Sequence, residues 1–430
     1  MDATTYQDYV NILHEELVPA MGCTEPIAIA YAAAVARPTL GRPAQRMEVE
    51  ASGNIIKNVK SVFVPNTGGL RGIPAAAAAG MAAGDPALEL EVLSSIGEGE
   101  QAAIRQYLAD TPIAVKLADS PFIFDIAIRA WAGEDSALVR IVNYHTNIVR
   151  VERNGQVLKE VEAQAAAEEG LTDKSVLTVE GILEFAREAA LADVEDAVGR
   201  QVRYNTAIAQ EGLRGDYGAN IGKVLLATYG DDVKIRAKAM AAAGSDARMN
   251  GCGLPVVIVS GSGNQGLTAS LPVVEYAKEL GADWETTLRA VLVSDLITIH
   301  LKAEIGRLSA YCGAVSAGCG SGAGIAWLYG REKEPQALLK DVSHTIVNAL
   351  AVDSGIVCDG AKASCAAKIA SAVDAGLLGF YMYQNGQQFR GGDGIISKGV
   401  EETIRNIGLL ATQGMRETDR EILDIMTTRC

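Results

Sequence analysis

Hydrophobic and polar positions follow two different periods along the chain. Between Met47 and about Glu162, apolar residues alternate with polar ones or form short runs, which is typical of β-strands. The predicted strands are MEVEAS, VKSVFVP, IAVKLA, FIFDIAIRAW and ALVRIVNYHTNIVRVE. Asn154-Gly155 then predicts a two-residue hairpin turn into QVLKEVE.

From about Thr178 the apolar residues recur at helical spacing, first in TVEGILEFAREAALADVEDAVGRQVRYNTAIA and then in most of the remaining chain. The first 40 residues also predict helix, interrupted at MGCTEP, and GLRGIPAAAAAGMAAGDP predicts an Ala-rich helix among the strands. The predicted fold class is therefore α+β, with a strand-rich mixed region over 1–175 and a mainly helical region over 176–430. The boundary is soft because both regions can contribute to one site.

Composition and charge narrow the classes of partner. The 430 residues carry a net charge of −15 without any Lys/Arg-rich run, which argues against nucleic acid and anionic membrane surfaces. The uncharged run Leu308–Gly330 contains glycines and cysteines and predicts a packed interior segment rather than a membrane span. Seven cysteines and an acidic start unlike a secretory signal predict reduced thiols and a cytoplasmic location. Ala/Gly-rich helices favour a homodimer.

A glycine-rich loop, SGSGNQG, matches G-x-G-x-x-G at Gly261, Gly263 and Gly266 between an apolar run and a helix. A dinucleotide site is one interpretation, but the chain lacks the alternating strands and helices of such a domain. Backbone N–H groups at a helix N-terminus bind other anions, including carboxylates. A simple Gly-rich turn is the remaining alternative. The candidate binding residues here are Ser262, Gly263, Asn264 and Gln265.

Two further segments carry candidate substrate-binding side chains. Ser245, Asp246 and Arg248 are predicted to lie in one loop, where a guanidinium and a carboxylate suit an amino-acid zwitterion, although surface-loop residues are the alternative. NYHTNIV places Asn143, His145 and Thr146 at the end of a predicted strand. A histidine there is a candidate catalytic group or a structural one.

Cys23 stands directly before Thr24-Glu25-Pro26 and an apolar helical run. Proline suits the first turn of a helix, and a thiol near a helix N-terminus is favoured as the thiolate. Cys23 is therefore a candidate base or nucleophile, with a buried inert thiol as the alternative.

Four further cysteines form two pairs, Cys312/Cys319 and Cys358/Cys365, each seven positions apart. Zinc sites usually have shorter gaps within a pair, whereas iron–sulfur clusters accept thiolates from separate loops. A cluster held by three thiolates leaves one iron free to act on a substrate. Structural thiols in a helical core are the competing interpretation.

Several motifs occur together in the order MGCTEPIAIA, HTNIV, AQEGL, SDARM, SGSGNQGLTA, RLSAYC and CDGAKASC. This set resembles the L-cysteine desulfidase (UPF0597) group of the iron–sulfur L-serine dehydratase α-chain superfamily. The resemblance covers about residues 6–428.

The resemblance implies an oxygen-sensitive lyase that converts L-cysteine to pyruvate, ammonia and hydrogen sulfide with a 4Fe-4S cluster and without pyridoxal phosphate (PLP) or NAD. It places the cluster ligands at Cys312, Cys358 and Cys365, with one open iron position, and the α-proton base at Cys23. The segments around Ser245–Arg248 and 261–266 would then hold the substrate carboxylate.

Some features depart from the family pattern. Cys319 stands where the group has another residue, often methionine, and the Cys312–Cys358 interval is long, so either Cys312 or Cys319 is the first ligand. Cys252 and Cys430 fall outside the pattern, and Cys430 is a candidate cap for the cluster. The alternative functions are a serine or threonine dehydratase (or one for another β-substituted amino acid), a zinc-stabilised binding protein and a nicotinamide oxidoreductase.

Overall fold

The computed structural model describes residues 1–163 and 171–426. In chain order the α-helices, α1 to α16, are Ala3–Glu16, Thr24–Leu40, Gly53–Val59, Gly72–Ala83, Glu98–Asp110, Val179–Glu188, Leu191–Arg214, Ile221–Tyr229, Val233–Met249, Gly263–Glu279, Trp284–Ile305, Gly313–Gly330, Pro335–Val352, Cys365–Gln384, Val400–Leu409 and Arg416–Asp424. The strands, β1 to β8, are Pro19–Met21, Arg46–Ala51, Ile113–Leu117, Asp125–Ala132, Asp135–Val142, Ile148–Arg153, Gln156–Glu160 and Pro255–Val257. Short 3-10 turns at Pro86–Glu91 and Lys174–Val176 and a π turn at Leu410–Gly414 complete these elements.

Six strands form one sheet in the order β3-β2-β4-β5-β6-β7. Only the β2–β3 pair is parallel, and α2 covers one face of the sheet by packing on β4, β5 and β6. The predicted hairpin at Asn154-Gly155 is confirmed, since both residues have positive φ angles between β6 and β7. The α+β fold class is also confirmed, with the sheet in the N-terminal half and helices in the C-terminal half.

Two local predictions are wrong. VKSVFVP was predicted as a strand, but α3 ends at Val59 and the following residues form a turn with one isolated bridge between Phe63 and Arg71. Ile55 and Val59 are buried four positions apart, so the apolar residues serve a helix here instead of a sheet face. The segment around 245–248 was predicted as a loop, but it forms the last turns of α9, which is discussed below.

The helical half is built around α12, which packs on α10, α11, α13 and α14 and is buried over almost its whole length. This confirms the prediction of a packed interior segment. Close backbone contact makes the packing possible: a Cβ on Gly318 would lie 2.2 Å from the Ala372 carbonyl oxygen, and one on Gly376 would lie 2.1 Å from that of Gly318. Glycine is therefore required where α12 and α14 cross.

The largest cluster of buried apolar side chains contains residues from both predicted regions, from Tyr9 to Ala411. The boundary near residue 175 stays a prediction, and the segment 164–170 just before it lies outside the described residues. One described helix, α14, is long and apolar enough to cross a membrane, but 56% of its apolar window is buried inside the protein. Core helices of globular proteins pass the same test, so this helix is weak support for a membrane span.

Candidate active site

Cys23 is the N-cap residue of α2, where the chain leaves β1. The thiol is buried and donates a hydrogen bond of 3.0 Å from Sγ to Oε2 of Glu25. Burial first and the Glu25 carboxylate second raise the pKa of this thiol well above its usual value, while Arg248 opposes the shift. The sequence-based expectation of a helix-stabilised thiolate is therefore wrong: the position at the helix start is as predicted, but burial and a carboxylate outweigh the dipole.

The glycine loop lies directly beside Cys23. Ser260 and Gly261 both have positive φ angles, and Ser262 is the N-cap residue of α10. The Thr24 hydroxyl donates to the Gly261 carbonyl oxygen at 2.9 Å, which joins the first turn of α2 to this loop. The G-x-G-x-x-G sequence of this loop follows β8. Because β8 pairs antiparallel with β1, the loop does not belong to a parallel βαβ unit. The geometry fits an anion at the start of α10 rather than a dinucleotide.

Arg248 approaches the same loop from α9. A Cβ on Gly263 would lie 2.3 Å from Arg248 Nε, so the glycine makes room for the guanidinium. Arg248 is buried, and its Nε has no hydrogen-bond partner among the described residues. Because a buried guanidinium N–H without an acceptor is costly, this atom indicates a position for an anionic ligand.

The other residues of that segment are also buried in α9, which corrects the predicted surface loop. Alanines before residue 245 favour continuation of the helix through Met249. Ser245 lies three residues before Arg248, on the same face of the helix, and its Oγ has no partner. The Oδ2 of Asp246 accepts from the Gly222 amide at 3.0 Å, and burial raises its pKa to about 6. Its Oδ1 has no partner among the described residues, so its role in substrate binding stays a prediction.

His145 lies in the turn between β5 and β6 and is buried against the ring of Phe124. A Cβ on Gly261 would lie 3.1 Å from its Cε1, so the imidazole faces the glycine loop. Its Nε2 has no partner, and burial lowers its pKa to about 4, so the ring is neutral at pH 7. Asn143, with a positive φ angle, and Thr146 flank it in the turn.

The first turn of α10 contains two more candidate residues. Asn264 donates from Nδ2 to the sulfur of Met249 at 3.6 Å, and its Oδ1 is unpartnered. Gln265 is buried with an unpartnered Oε1, and a Cβ on Gly313 would lie 2.7 Å from its amide carbon. Gln265 therefore contacts the start of α12, immediately after Cys312.

Cys312, Cys358 and Cys365 lie near one another. Cys312 is the N-cap of α12 and Cys365 begins α14, while backbone hydrogen bonds of 2.9 Å from Cys312 to Ile356 and 2.7 Å from Cys358 to Ala310 join the two segments. A hydrogen bond between the Cys312 and Cys358 thiols lowers the pKa of Cys358 and raises that of Cys312.

Four lysines surround these three thiols, although Lys362 and Lys368 pair with Asp359 and Lys57 pairs with Asp419. Lys57 and Lys362 lower the pKa of Cys358 further, and the Lys368 ammonium donates to the Val357 carbonyl oxygen at 2.7 Å. Lys302 is buried, and its pKa falls to about 8 because of burial, although Cys358 and Cys312 act in the opposite direction. Positive charge of this kind suits thiolates and an anionic group between them.

Cys319 stays apart from the other three. It is buried within α12, where burial and the nearby carboxylate of Asp353 raise its pKa above the usual value, a position suited to an inert thiol. Cys252 is likewise buried, beside Tyr217. Cys430 lies outside the described residues.

Two contacts place the three-thiol group next to the Cys23 pocket. In the first contact, the side chain of Gln265 lies against the start of α12. The second is Asn58 on α3: it donates from Nδ2 to Glu25 Oε1 at 2.9 Å, and a Cβ on Gly360 would lie 3.6 Å from its Cα. Since Gly360 stands between Cys358 and Cys365, both sides of the site meet through these two side chains.

A cavity of about 1150 Å³ adjoins this site. Its lining includes Asn143, Ser260, Arg307 and Ala310, but Cys23, His145 and Arg248 do not line it. Arg307 pairs with the buried carboxylate of Glu16 at 2.7 Å. The cavity therefore reaches the edge of the site, and we place the centre of the site where the buried unpartnered polar atoms converge.

Sequence reasoning missed several of these residues. Glu25 was visible two positions after Cys23 at the start of a predicted helix, which could have suggested their contact. Asn58 and Lys302 had no local signal, because each reaches the site only through the tertiary packing of its own helix. Arg307 stood in the motif RLSAYC, but no role was assigned to it.

Comparison with known proteins gives consistent matches over the chain. Residues 87–424 match the serine dehydratase alpha chain family. A UPF0597 protein of Desulfitobacterium hafniense (strain Y51) is 58% identical over 425 residues, which cover 99% of this chain and 97% of that protein. Another, of Lachnoclostridium phytofermentans, is 51% identical over 421 residues, or 98% and 99% of the two chains. A third, of Aeromonas salmonicida, is 39% identical over 431 residues, or 99% and 97%.

Proposed function

The chain belongs to the serine dehydratase alpha chain family, as a UPF0597 protein of that superfamily, and from this premise we propose that it is an L-cysteine desulfidase. The family is of a lyase type. The proposed reaction is α,β-elimination of L-cysteine to hydrogen sulfide and aminoacrylate, which hydrolyses through its imine to pyruvate and ammonia. We further propose a cytoplasmic location and a reaction without PLP or NAD.

The residues fit the iron–sulfur cluster that this family suggests. Among the described residues no group of three or more His, Cys, Asp or Glu side chains is placed to hold a single metal ion. A 4Fe-4S cluster is larger and accepts thiolates from separate loops. Cys312, Cys358 and Cys365, near one another among lysines, would hold it with one iron open, and Cys319 would stay out. When bound, the cluster supplies Lewis-acid assistance to the leaving sulfur.

The carboxylate of the substrate is expected at the N-terminus of α10. The first-turn N–H groups and the unpartnered Nε of Arg248 point to an anion there. We propose that Ser245, Asp246, Ser262, Gly263, Asn264 and Gln265 border this position, with Asn143, His145 and Thr146 on the side of the sheet. One carboxylate oxygen of Asp246 already accepts from the Gly222 amide. Cys23, beside the same loop, is the proposed acceptor of the α-proton.

One observation carries the proposal: a buried thiol, an anion position and three clustered thiols are brought together by Gln265 and Asn58 from distant parts of the chain. Elimination requires these three groups on one substrate: a base at Cα, a grip on the carboxylate, and assistance to the group leaving Cβ. An arrangement with purely structural zinc needs neither the anion position nor the buried Cys23–Glu25 pair.

The second candidate is a dehydratase for L-serine, threonine or another β-substituted amino acid. It is favoured by the name of the matching family, and the same site chemistry serves a hydroxyl leaving group. The homodimer and the cap role of Cys430 stay predictions.

Anaerobically purified protein should be assayed for iron and acid-labile sulfide, and then for turnover. We expect a brown protein with about four irons and four sulfides per chain. Sulfide and pyruvate should form together from L-cysteine, faster than pyruvate from L-serine. Pyruvate from serine alone would favour the dehydratase. One zinc per chain without either activity would overturn the proposal.

A further inference from the structure

Glu25 is the buried carboxylate that contacts Cys23. Its Oε2 accepts from the Cys23 thiol at 3.0 Å, and its Oε1 accepts from Asn58 Nδ2 at 2.9 Å. Only 8% of Glu25 and 3% of Cys23 are exposed. Because each carboxylate oxygen has a directed donor, the carboxylate is fixed in orientation, with one oxygen towards the sulfur.

The charged groups around this pair keep its carboxylate ionised. Burial alone would raise the pKa of Glu25, yet His145 in its protonated form, the hydrogen bond from Cys23 and the guanidinium of Arg248 together lower it. His145 is neutral at pH 7, so Arg248 is the permanent cation that faces the pair from α9, and Asn58 is its neutral neighbour on α3. At neutral pH the pair therefore holds one proton, on the sulfur.

A protonated thiol takes up another proton only if it releases its own. The Cys23 proton already points at Glu25 Oε2, so the acceptor for the released proton is in place. A carboxylate that served only to hold the helix start would not need the sulfur as its donor, because backbone N–H groups are available there.

We propose that Glu25 is the final proton acceptor of the elimination and that Cys23 relays the proton to it. The Cα–H bond breaks as a new S–H bond forms on Cys23, while the original S–H bond breaks and an O–H bond forms on Glu25 Oε2. The electron pair left on Cα forms the Cα=Cβ double bond, and the leaving group departs with the electron pair of its bond to Cβ. This inference rests on the proposed function.

Glu25→Gln separates the relay from a structural role through two measurements. The first is the pH dependence of Cys23 alkylation by iodoacetamide, followed by mass spectrometry of the Cys23 peptide. Its midpoint, normalised to the alkaline plateau, requires neither substrate nor turnover and is compared between proteins of equal iron content. We expect this midpoint to move to lower pH, because the neighbouring negative charge is lost. The second is kcat for pyruvate formation, which should fall about 10²- to 10⁴-fold.

A more easily ionised thiol together with slower turnover is the expected combination. An unchanged or higher alkylation midpoint would show that the two groups do not share a proton, and the proposal would fail. A lower midpoint with kcat retained would show that Glu25 does not accept the proton, and the proposal would also fail. If the unsubstituted protein forms neither sulfide nor pyruvate, the proposed function fails, whereas alkylation still decides whether the pair shares a proton.

Asn58→Ala provides a second test if the Gln variant does not fold. It keeps both members of the pair but removes the hydrogen bond to Oε1, which stabilises the ionised carboxylate. The acidic limb of the kcat/KM profile should then move to higher pH. Glu25→Asp, which keeps a carboxylate, should retain more activity than Glu25→Gln. An acidic limb that stays in place in Asn58→Ala, or equal losses in the Asp and Gln variants, would contradict the relay.

Discussion

The hydroxyl of Thr24 donates a hydrogen bond to the Gly261 carbonyl oxygen at 2.9 Å, across 237 positions of the sequence. Thr24 follows Cys23 at the start of α2, and Gly261 precedes the start of α10. This single contact therefore connects the helix start that carries the thiol with the helix start that offers N–H groups to an anion.

Thr24→Val should lower the free energy of unfolding by about 1–3 kcal/mol, because the shape is kept but a buried carbonyl loses this donor. Urea denaturation measures the change. Thr39→Val is the matched control, since Thr39 bonds to the Val35 carbonyl within α2, where the backbone helix bonds remain. Equal losses in the two variants would contradict a special role for Thr24.

Gly263→Ala should raise KM for the amino acid and leave the iron content unchanged, because the added Cβ would displace the guanidinium of Arg248. Gly99→Ala is the control: Gly99 also lies in the first turn of a helix, α5, but its Cβ would meet nothing within 4 Å. The control should be up to about 1 kcal/mol more stable, with unchanged kinetics. Steady-state kinetics on both variants checks this, and an unaltered KM in Gly263→Ala would count against Arg248 as the carboxylate partner.

Cys365→Ala should lose most of its iron and its visible absorption, whereas Cys319→Ala should keep both and its turnover. The reason is position: Cys365 begins α14 beside Cys358, while Cys319 is enclosed within α12. Iron and sulfide analysis with visible spectroscopy of the anaerobic proteins is the measurement. Loss of the cluster in Cys319→Ala would instead make Cys319 a ligand.

Stability should fall as the pH falls from about 6.5 towards 4, in part because of His145. Its folded pKa of about 4 lies below the ordinary histidine value of 6.5, so the unfolded state binds the proton first in this range. The contribution is about 3 kcal/mol at most, fully present above pH 6.5. His145→Gln should therefore reduce the difference in unfolding free energy between pH 7.5 and pH 4.5, measured by urea denaturation. The same pH difference in both proteins would show that His145 does not titrate this way.

Local rules predicted much of the fold. The 3.6-residue period located most helices, and Asn154-Gly155 located a hairpin, because these signals depend on neighbouring residues alone. VKSVFVP was predicted wrongly because Val59, Val62 and Val64 are all buried, but Val59 ends a helix and the other two lie in the segment after it rather than on one face of a sheet. A run of buried apolar residues that do not pair with another strand therefore shows the same sequence pattern as a β-strand.

The candidate site was predicted in its chemistry more than in its geometry. The motif residues Cys23, Arg248 and Gly263 do converge, although Arg248 does so from a helix. Asp246 followed the same motif but faces α8, since successive residues of a helix point in different directions. The acidity of Cys23 could not be read from its position, because burial and Glu25 outweigh the helix dipole.

The crossing of α12 and α14 at Gly318 and Gly376 has a consequence for the thiols at the start of each helix. Cys312 lies at the start of α12 and Cys365 at the start of α14. Because the backbones of these two helices are in contact, the helix crossing determines the distance between the two cysteines more than their side-chain rotamers do. A methyl group added at Gly318, six residues from Cys312, would therefore push the two helices apart and move one thiol relative to the other. Glycines at this helix crossing, which do not contact the three thiols, thus determine the separation of Cys312 and Cys365, two of the proposed cluster ligands.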